Sequence, residues 1–142
     1  MSKTPAPRRH WNWAALVYLG MFLITLWMAY TGRLPSVLGY IPFYDKAGHL
    51  ILYALAAYLG DRVFRGHRLR FRPWSVPTFA LGFALFTLVE ELAQGMSPHR
   101  TFDVGDLFFS GLGIVIGTGL ARWGTYPPRS RPPSDISQEF DP

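Results

Sequence analysis

Ionisable and amide side chains lie at helical spacing in three parts of this 142-residue sequence. Three short sets repeat at steps of three or four residues: Asp45, His49 and Tyr53; Glu91 and Gln94; Asp103, Asp106 and Ser110. Imidazole titrates near neutral pH, and carboxylates exchange protons and bind cations. If the three sets meet in space, they can transfer a proton, hold a metal ion or bind a polar ligand. All eight are therefore candidate ligand-binding residues.

His49, Glu91 and Asp106 are the candidates for catalysis, although the sequence assures none of them that role. His49 is either a proton carrier or a ligand, or it holds the helices together by hydrogen bonding to a carboxylate of a neighbouring helix. Glu91 with Gln94 is either an acid–base group with an orienting amide or an interhelical hydrogen-bonded pair. Asp103 is expected to cap the N-terminus of a helix, which makes Asp106 the better functional candidate of the two aspartates.

Other residues near these sets have separate expectations. Arg100 has a planar guanidinium suited to a phosphate or carboxylate ligand, or to an ion pair with Asp103 or Glu91. Glu90 is expected to face away from the other polar groups, as an interfacial charge. A metal ion is not assigned, because no H-E-x-x-H or comparable motif occurs and a site would depend on convergence alone. No cofactor is assigned either, and the absence of cysteine excludes disulfides and thiolate sites.

The composition indicates a membrane protein, since 49% of residues are hydrophobic and only 16% are charged. No Asp, Glu, Lys or Arg occurs in four stretches: 10–32, 47–60, 73–89 and 107–121. The first exceeds the ~20 residues that cross the hydrocarbon core, and the others can span if charged ends lie near the headgroups. The sequence therefore predicts an all-α, four-helix transmembrane bundle. The helices are expected at about 11–31, 46–64, 75–93 and 104–123.

The positive charges predict the orientation of this bundle. Eleven of the fourteen lysines and arginines fall in the two tails and in the loop between the second and third helices. By the positive-inside rule, both termini and that loop lie in the cytoplasm of a bacterial cell membrane. The net charge of +5 then reflects topology and attraction to anionic lipid, so the bilayer is the expected partner and nucleic acid is not. The predicted domains are a basic tail (1–10), a membrane domain (11–124) and a proline-rich, disordered tail (125–142).

Small residues continue each polar set along its helix. Ala56 and Gly60 follow the first set, while Ala80, Ala84 and Thr87 precede the second. Gly113 and Gly117 follow the third at the spacing of a close-contact motif. Because small residues let membrane helices approach closely, the three stripes should pack together. Their polar ends should then form a pocket that faces out of the cell.

Three motifs resemble the VanZ-like family of small bacterial membrane proteins. They are D-K-x-x-H-x-x-x-Y (Asp45, Lys46, His49, Tyr53), E-x-x-Q (Glu91, Gln94) and R-x-x-D-x-x-D before a glycine-rich helix (Arg100, Asp103, Asp106, Gly113, Gly117). They occur in the family's order over roughly residues 40–120. The sequence departs from the family at Ser110, where an asparagine is usual, so a role that needs an amide is in doubt there. The resemblance implies a multi-pass envelope protein, and the family is named for a member associated with low-level glycopeptide resistance.

The leading functional hypothesis is recognition of an envelope component or amphiphile through the outward polar pocket. Arg100 would hold an anionic group, while His49, Glu91 and Asp106 would supply hydrogen bonds or proton transfer. Two alternatives stay open. One is a membrane enzyme acting on a lipid-linked phosphate or sugar, with His49 and Glu91 as acid and base, and the other is a structural subunit. The sequence does not determine the ligand or the oligomeric state.

Overall fold

The computed structural model of this chain describes residues 9–98 and 101–123, which are mostly helical. Four α-helices, a short 3-10 helix and a hairpin follow one another along the chain. In order they are α1 (Arg9–Tyr30), the 3-10 helix (Ser36–Tyr40), α2 (Tyr44–Val63), β1 (Arg68–Phe71), β2 (Trp74–Pro77), α3 (Thr78–Gln94) and α4 (Val104–Arg122). The predicted C-terminal tail, most of the N-terminal tail and Arg100 lie outside the described residues.

Two of the helices are long and apolar enough to cross a membrane. They are α1, over His10–Tyr30, and α4, over Val104–Arg122. Helix α3 has only 17 residues, and α2 contains four charged residues, Asp45, Lys46, Asp61 and Arg62, whereas α4 contains two. Of the predicted arrangement, helix length and composition thus support membrane association through α1 and α4.

The loop between α2 and α3 contains a hairpin that the all-α prediction did not include. Strands β1 and β2 pair antiparallel, with Leu69 opposite Val76. In β1, arginines alternate with Leu69 and Phe71, which is the period-two pattern of a strand. The third helix, predicted from residue 75, begins at Thr78 because Pro77 disfavours helical geometry in the residue before it. The hairpin displays Arg68 and Arg70, both exposed, at the end of α2 that carries Arg62.

Helices α2 and α4 pack closely through small residues. A Cβ added at Gly113 would lie 2.6 Å from the carbonyl oxygen of Leu50, and one at Gly117 would overlap the backbone of Ala54. Both glycines are buried, as the close-contact spacing predicts. The backbones of the two helices can approach this closely only without side chains at these two positions. Their polar ends are thereby brought side by side.

Helix α3 buries most of the predicted face, including Ala80 at the core, and widens it with aromatic rings. Ala84 is exposed, whereas Thr87, Glu91 and Gln94 are buried as expected. The apolar half of the contact comes from aromatic rings: Phe83 stacks on Tyr53 with centroids 5.2 Å apart, and the ring of Phe79 occupies the space that a side chain on Gly60 would fill. Burial of two phenylalanine rings removes far more apolar area from the surroundings than burial of two alanines, so the helix is turned towards its rings.

Helix α1 packs on the outside of α2. The Tyr18 hydroxyl donates to the Leu52 carbonyl at 2.5 Å, and Phe22 meets Tyr53 edge to face at 5.6 Å. Phe22 is the most buried side chain of this helix, at 7% exposed. Most of the other apolar side chains of α1 are exposed, Leu16 and Ile24 among them. One face of α1 therefore belongs to the fold, and the rest has apolar side chains with no protein against them in the described structure.

Substitution at Gly117 tests the close packing of α2 and α4. Gly117→Ala should lower the free energy of unfolding by about 1–3 kcal/mol, since the new methyl group overlaps Ala54. The matched control is Gly119→Ala, where a Cβ meets nothing within 4 Å and helix propensity improves by up to about 1 kcal/mol. Thermal or denaturant unfolding in detergent measures both. Equal stability of the two variants would contradict the packing described here.

Candidate functional site

The polar ends of α2, α3 and α4 meet in one group of side chains, the polar cluster. Its members are Asp45, Lys46, His49, Tyr53, Glu90, Glu91, Gln94, Asp103, Asp106 and Ser110. Seven of the ten are buried, and Glu91, Gln94, Asp106 and Ser110 have at most 2% of their surface exposed. Every candidate ligand-binding residue predicted from the sequence lies in this cluster except Arg100, which is outside the described residues.

Lys46 connects α2 to the start of α4. Its ammonium nitrogen lies 2.7 Å from Asp103 Oδ2 and 3.4 Å from Asp106 Oδ1. Asp103 is the N-cap of α4, as expected, because its side chain accepts from the Gly105 backbone N–H at 2.6 Å. The hydrogen bond from Lys46, together with the one from Gly105, holds the pKa of the Asp103 carboxyl below its ordinary value. Asp103 is therefore a carboxylate at neutral pH, with a structural role in capping and pairing.

His49 lies between two side chains of α4. Its Nδ1 is 2.9 Å from Ser110 Oγ, and its Nε2 is 3.6 Å from Asp106 Oδ2. The ring also stacks on Tyr53, with centroids 5.5 Å apart. The Ser110 hydroxyl thus contacts the imidazole. An imidazole fixed on three sides has one orientation, which is a requirement for any ligand or proton-transfer role.

Helix α3 contributes the acidic side of the cluster. Glu91 Oε1 accepts from the Asp103 backbone N–H at 2.9 Å, which joins α3 to the loop before α4. Glu90 accepts from the Tyr53 hydroxyl at 3.2 Å and from the Gln94 amide. The expectation that Glu90 is an interfacial charge is wrong, because this residue is only 6% exposed. A buried carboxylate needs donors, and Tyr53 and Gln94 supply them.

Sequence reasoning missed two members of the cluster, Lys46 and Glu90. Glu90 lies three residues after Thr87 and four before Gln94, so it fits the same helical face once the stripe is drawn through Phe79 and Phe83. The predicted stripe followed the alanines, which lie one residue further around the helix, and Glu90 was therefore left out of the buried face. Lys46 is adjacent to Asp45 and was placed in a motif, but its long side chain reaches α4, a contact that spacing within one helix does not reveal.

A cavity of about 220 Å³ opens beside the cluster. Its polar wall includes Asp45, His49, Tyr53 and Gln94. The remaining wall comes mainly from α1 and the segment that follows it, and its side chains are largely apolar: Phe22, Leu26, Ala29, Leu34 and Leu38 among others. One end of the cavity can therefore hydrogen-bond a ligand while the other contacts hydrocarbon.

Three side chains of the cluster have the composition of a metal-binding set. One ligand atom from each of Asp45, His49 and Asp106 lies within 4.8 Å of the others. His49 and Asp106 are buried, and Asp45 is half-buried at the cavity. Glu91 and Asp103 lie outside this set, and Glu91 accepts a hydrogen bond from the Asp103 backbone N–H. The metal-binding set is thus narrower than the convergence predicted from the sequence.

The role of Glu90 can be tested by removing its carboxylate. Glu90→Leu should lower the free energy of unfolding by about 1–3 kcal/mol, because Tyr53 and Gln94 lose the acceptor they share. Val89→Leu, at a neighbouring position that is 66% exposed, should change stability by no more than about 0.5 kcal/mol. Thermal unfolding in detergent compares the two. If Glu90→Leu is as stable as the Val89→Leu control, the role of Glu90 as a buried acceptor is contradicted and the interpretation as an interfacial charge is restored.

Comparison of this chain with protein-family models, with curated proteins and with solved structures gives no match. The resemblance to the VanZ-like family therefore stays a prediction, carried by the three motifs and their order. The geometry adds that all three motifs contribute side chains to the polar cluster.

Proposed function

We propose that this chain is a VanZ-like, multi-pass protein of the bacterial cell membrane that binds an amphiphile at its polar cluster. In this proposal α1 to α4 all cross the bilayer, both termini and the hairpin lie in the cytoplasm, and the cluster faces outward. The head group of the amphiphile contacts Asp45 and His49, and its chain lies against α1.

Exposed apolar side chains support four membrane-crossing helices. Large apolar residues of α2 and α3, such as Ile51, Leu55, Leu85 and Val89, are between 46% and 66% exposed, as they are on α1 and α4. A water-soluble monomer rarely exposes apolar side chains on every helix, whereas lipid is a suitable neighbour for them. At 1.5 Å per residue, the 20 residues of α2 and 17 of α3 extend about 30 and 26 Å, close to the hydrocarbon thickness.

The charge distribution supports the proposed orientation. Asp45 lies at the start of α2 and Arg62 at its other end, and the arginine-bearing hairpin follows directly. With this basic end in the cytoplasm by the positive-inside rule, the polar cluster is at the outer surface. Contacts of α1 with Leu52 and Tyr53 make it part of the bundle, as a permanent span would be.

The cavity beside the cluster is the observation that carries the binding proposal. It borders a polar wall, including Asp45 and His49, and an apolar wall formed largely by α1. Its volume of about 220 Å³ is below the ~300–1,000 Å³ of pockets for drug-sized ligands. A cavity of this size therefore holds a head group and the first part of a chain. The remainder of the chain runs along the exposed face of α1 in lipid.

The charges of the described cluster favour a head group that donates hydrogen bonds. Among the described residues, five carboxyl groups, Asp45, Glu90, Glu91, Asp103 and Asp106, accompany one ammonium group, Lys46. Carboxylates are acceptors and repel anions, so a sugar hydroxyl or an amine is a better partner for them than a phosphate. This refines the expectation of an anionic ligand, which depended on Arg100.

Topology can be tested by cysteine labelling, in which only the introduced residue reacts because this sequence contains no cysteine. Met96→Cys, at a position 88% exposed after α3, should react with a membrane-impermeant maleimide in intact cells. Arg70→Cys, in the hairpin, should react only after the membrane is opened. Labelling of both in intact cells, or the reverse pattern, would contradict the proposed orientation.

Ligand binding can be tested by extraction and mass spectrometry of lipids that copurify with the protein. Wild type should be enriched in a glycolipid or aminolipid relative to the membrane from which it came. Asp45→Asn should reduce that enrichment through loss of a charge-assisted hydrogen bond of about 1.5–3 kcal/mol, roughly 10- to 150-fold in affinity. Ala29→Phe should reduce it by filling the cavity.

Ala14→Phe is the matched control, because Ala14 is exposed on α1 and does not line the cavity beside the cluster. It should keep the lipid enrichment of wild type. Enrichment of anionic lipid alone would refute the proposed head-group chemistry. The absence of any enriched lipid, or full retention by Ala29→Phe, would refute amphiphile binding at this cavity. Chemical conversion of the bound lipid, lost in His49→Ala, would instead identify the membrane enzyme considered from the sequence.

A further inference from the structure

We propose that Asp45, His49 and Asp106 form a binding site for a divalent transition-metal ion, with zinc as the probe. The inference goes beyond amphiphile binding and does not depend on it. It is carried by three features: the ligand types, the separation of their atoms, and the hydrogen bond that orients His49. The candidate ligands are supplied by two helices, α2 and α4.

The separation of His49 and Asp106 fits two ligands of one ion. Nε2 of His49 is 3.6 Å from Oδ2 of Asp106, which is too long for a good hydrogen bond. Two ligand atoms about 2.0–2.2 Å from a tetrahedral zinc ion lie about 3.4 Å apart. An ion between Nε2 and Oδ2 therefore needs almost no movement of either side chain. Asp106 keeps its other oxygen, Oδ1, for Lys46 at 3.4 Å.

Ser110 orients His49 as partners of metal-bound histidines do. Such histidines donate their second ring N–H to a nearby acceptor, which fixes the tautomer and directs the other nitrogen to the ion. Here Nδ1 lies 2.9 Å from Ser110 Oγ, and this serine is fully buried. With Nδ1–H donating to Ser110, Nε2 presents its lone pair towards the Asp106 carboxylate. Two electron-rich atoms in this arrangement attract a cation between them.

Asp45 completes the set and leaves a coordination position open. Its ligand atom lies within 4.8 Å of those of His49 and Asp106, and ligands of one tetrahedral ion are about 3.4 Å apart. A separation at the upper limit would shorten by about 1.4 Å on binding, which a rotation of a half-buried side chain at a cavity permits. Because Asp45 and His49 both line the cavity, a fourth position on the ion faces its interior. Zinc sites with three protein ligands and an open position bind water or substrate there.

Equilibrium dialysis of the full-length protein in lipid-free detergent, with metal analysis, tests the proposal. The protein must carry a tag without histidine. Wild type should bind one zinc ion per chain saturably, and His49→Ala and Asp106→Asn should abolish that binding. Ser110→Ala keeps all three ligands but loosens the imidazole, so it should weaken zinc affinity roughly 10- to 100-fold. In this reading Ser110 is a positioning residue.

His67→Ala is the matched control. His67 also has Nδ1 beside a hydroxyl, that of Thr78 at 3.0 Å, but it is exposed at the hairpin and no carboxylate contact of it is described. It should bind zinc as wild type does. Loss of zinc in His67→Ala equal to that in His49→Ala, or no saturable binding by wild type, would overturn the proposal.

Two further measurements exclude a folding artefact. Asp45→Asn alters the least buried of the three candidate ligands, so it should keep the helical circular dichroism and elution volume of wild type while losing zinc. Zinc should raise the melting temperature of wild type in a concentration-dependent way, because a ligand of the folded state stabilises it. That increase should be absent in Asp45→Asn. An equal increase in this variant would refute the assignment of Asp45. Ala29→Phe should leave zinc affinity intact, which separates this site from the proposed lipid cavity.

Discussion

Close approach of α2 and α4 is the constraint on which the polar cluster depends. Gly113 and Gly117 allow the backbone of α4 to lie directly against Leu50 and Ala54. One or two turns further along, the same pair of helices juxtaposes His49 with Ser110 and Asp106. Side chains at these two positions would push the axes of α2 and α4 apart by about the width of a methyl group, and each of these contacts would then lengthen. The glycines therefore determine the geometry of the site although neither has a functional group.

Burial of so many ionisable groups is costly unless each has a partner. A carboxylate at the bilayer centre costs on the order of 2.5–3.5 kcal/mol on insertion scales, and less near the surface. In the cluster, Glu90 has the Tyr53 hydroxyl, Glu91 has the Asp103 backbone N–H, and Asp103 has Lys46. A second polar contact lies at the opposite end of the bundle, where Arg122 pairs with Asp61 at 3.1 Å. Ion pairing near both ends of α2 and α4 leaves mainly apolar and small residues between them.

Sequence patterns predicted the elements of this fold better than their faces. Glycine spacing identified the α2–α4 contact, because only backbone approach explains two glycines one turn apart in an apolar helix. For α3 the same reasoning predicted only part of the face, because Ala84 is exposed and Phe79 and Phe83 contact α2 beside Ala80, which packs against the core. The stripe of small residues and the stripe of rings are offset by one residue around the helix. The surface of the neighbouring helix determines which of them is buried. Here Gly60 and Tyr53 of α2 accommodate the rings, which explains why Glu90 is inside.

Among the described residues of the cluster, carboxyl groups outnumber cationic groups. Lys46 is the only ammonium or guanidinium group in the described cluster, and it lies against Asp103 and Asp106. Asp45 and His49 border the cavity, so the side of the cluster open to a ligand is its acidic side together with an imidazole. A proton, a metal cation or a hydrogen-bond donor relieves repulsion among the carboxylates, whereas an anion increases it. The same excess of negative charge thus favours both the head group proposed for the cavity and the ion proposed between His49 and Asp106.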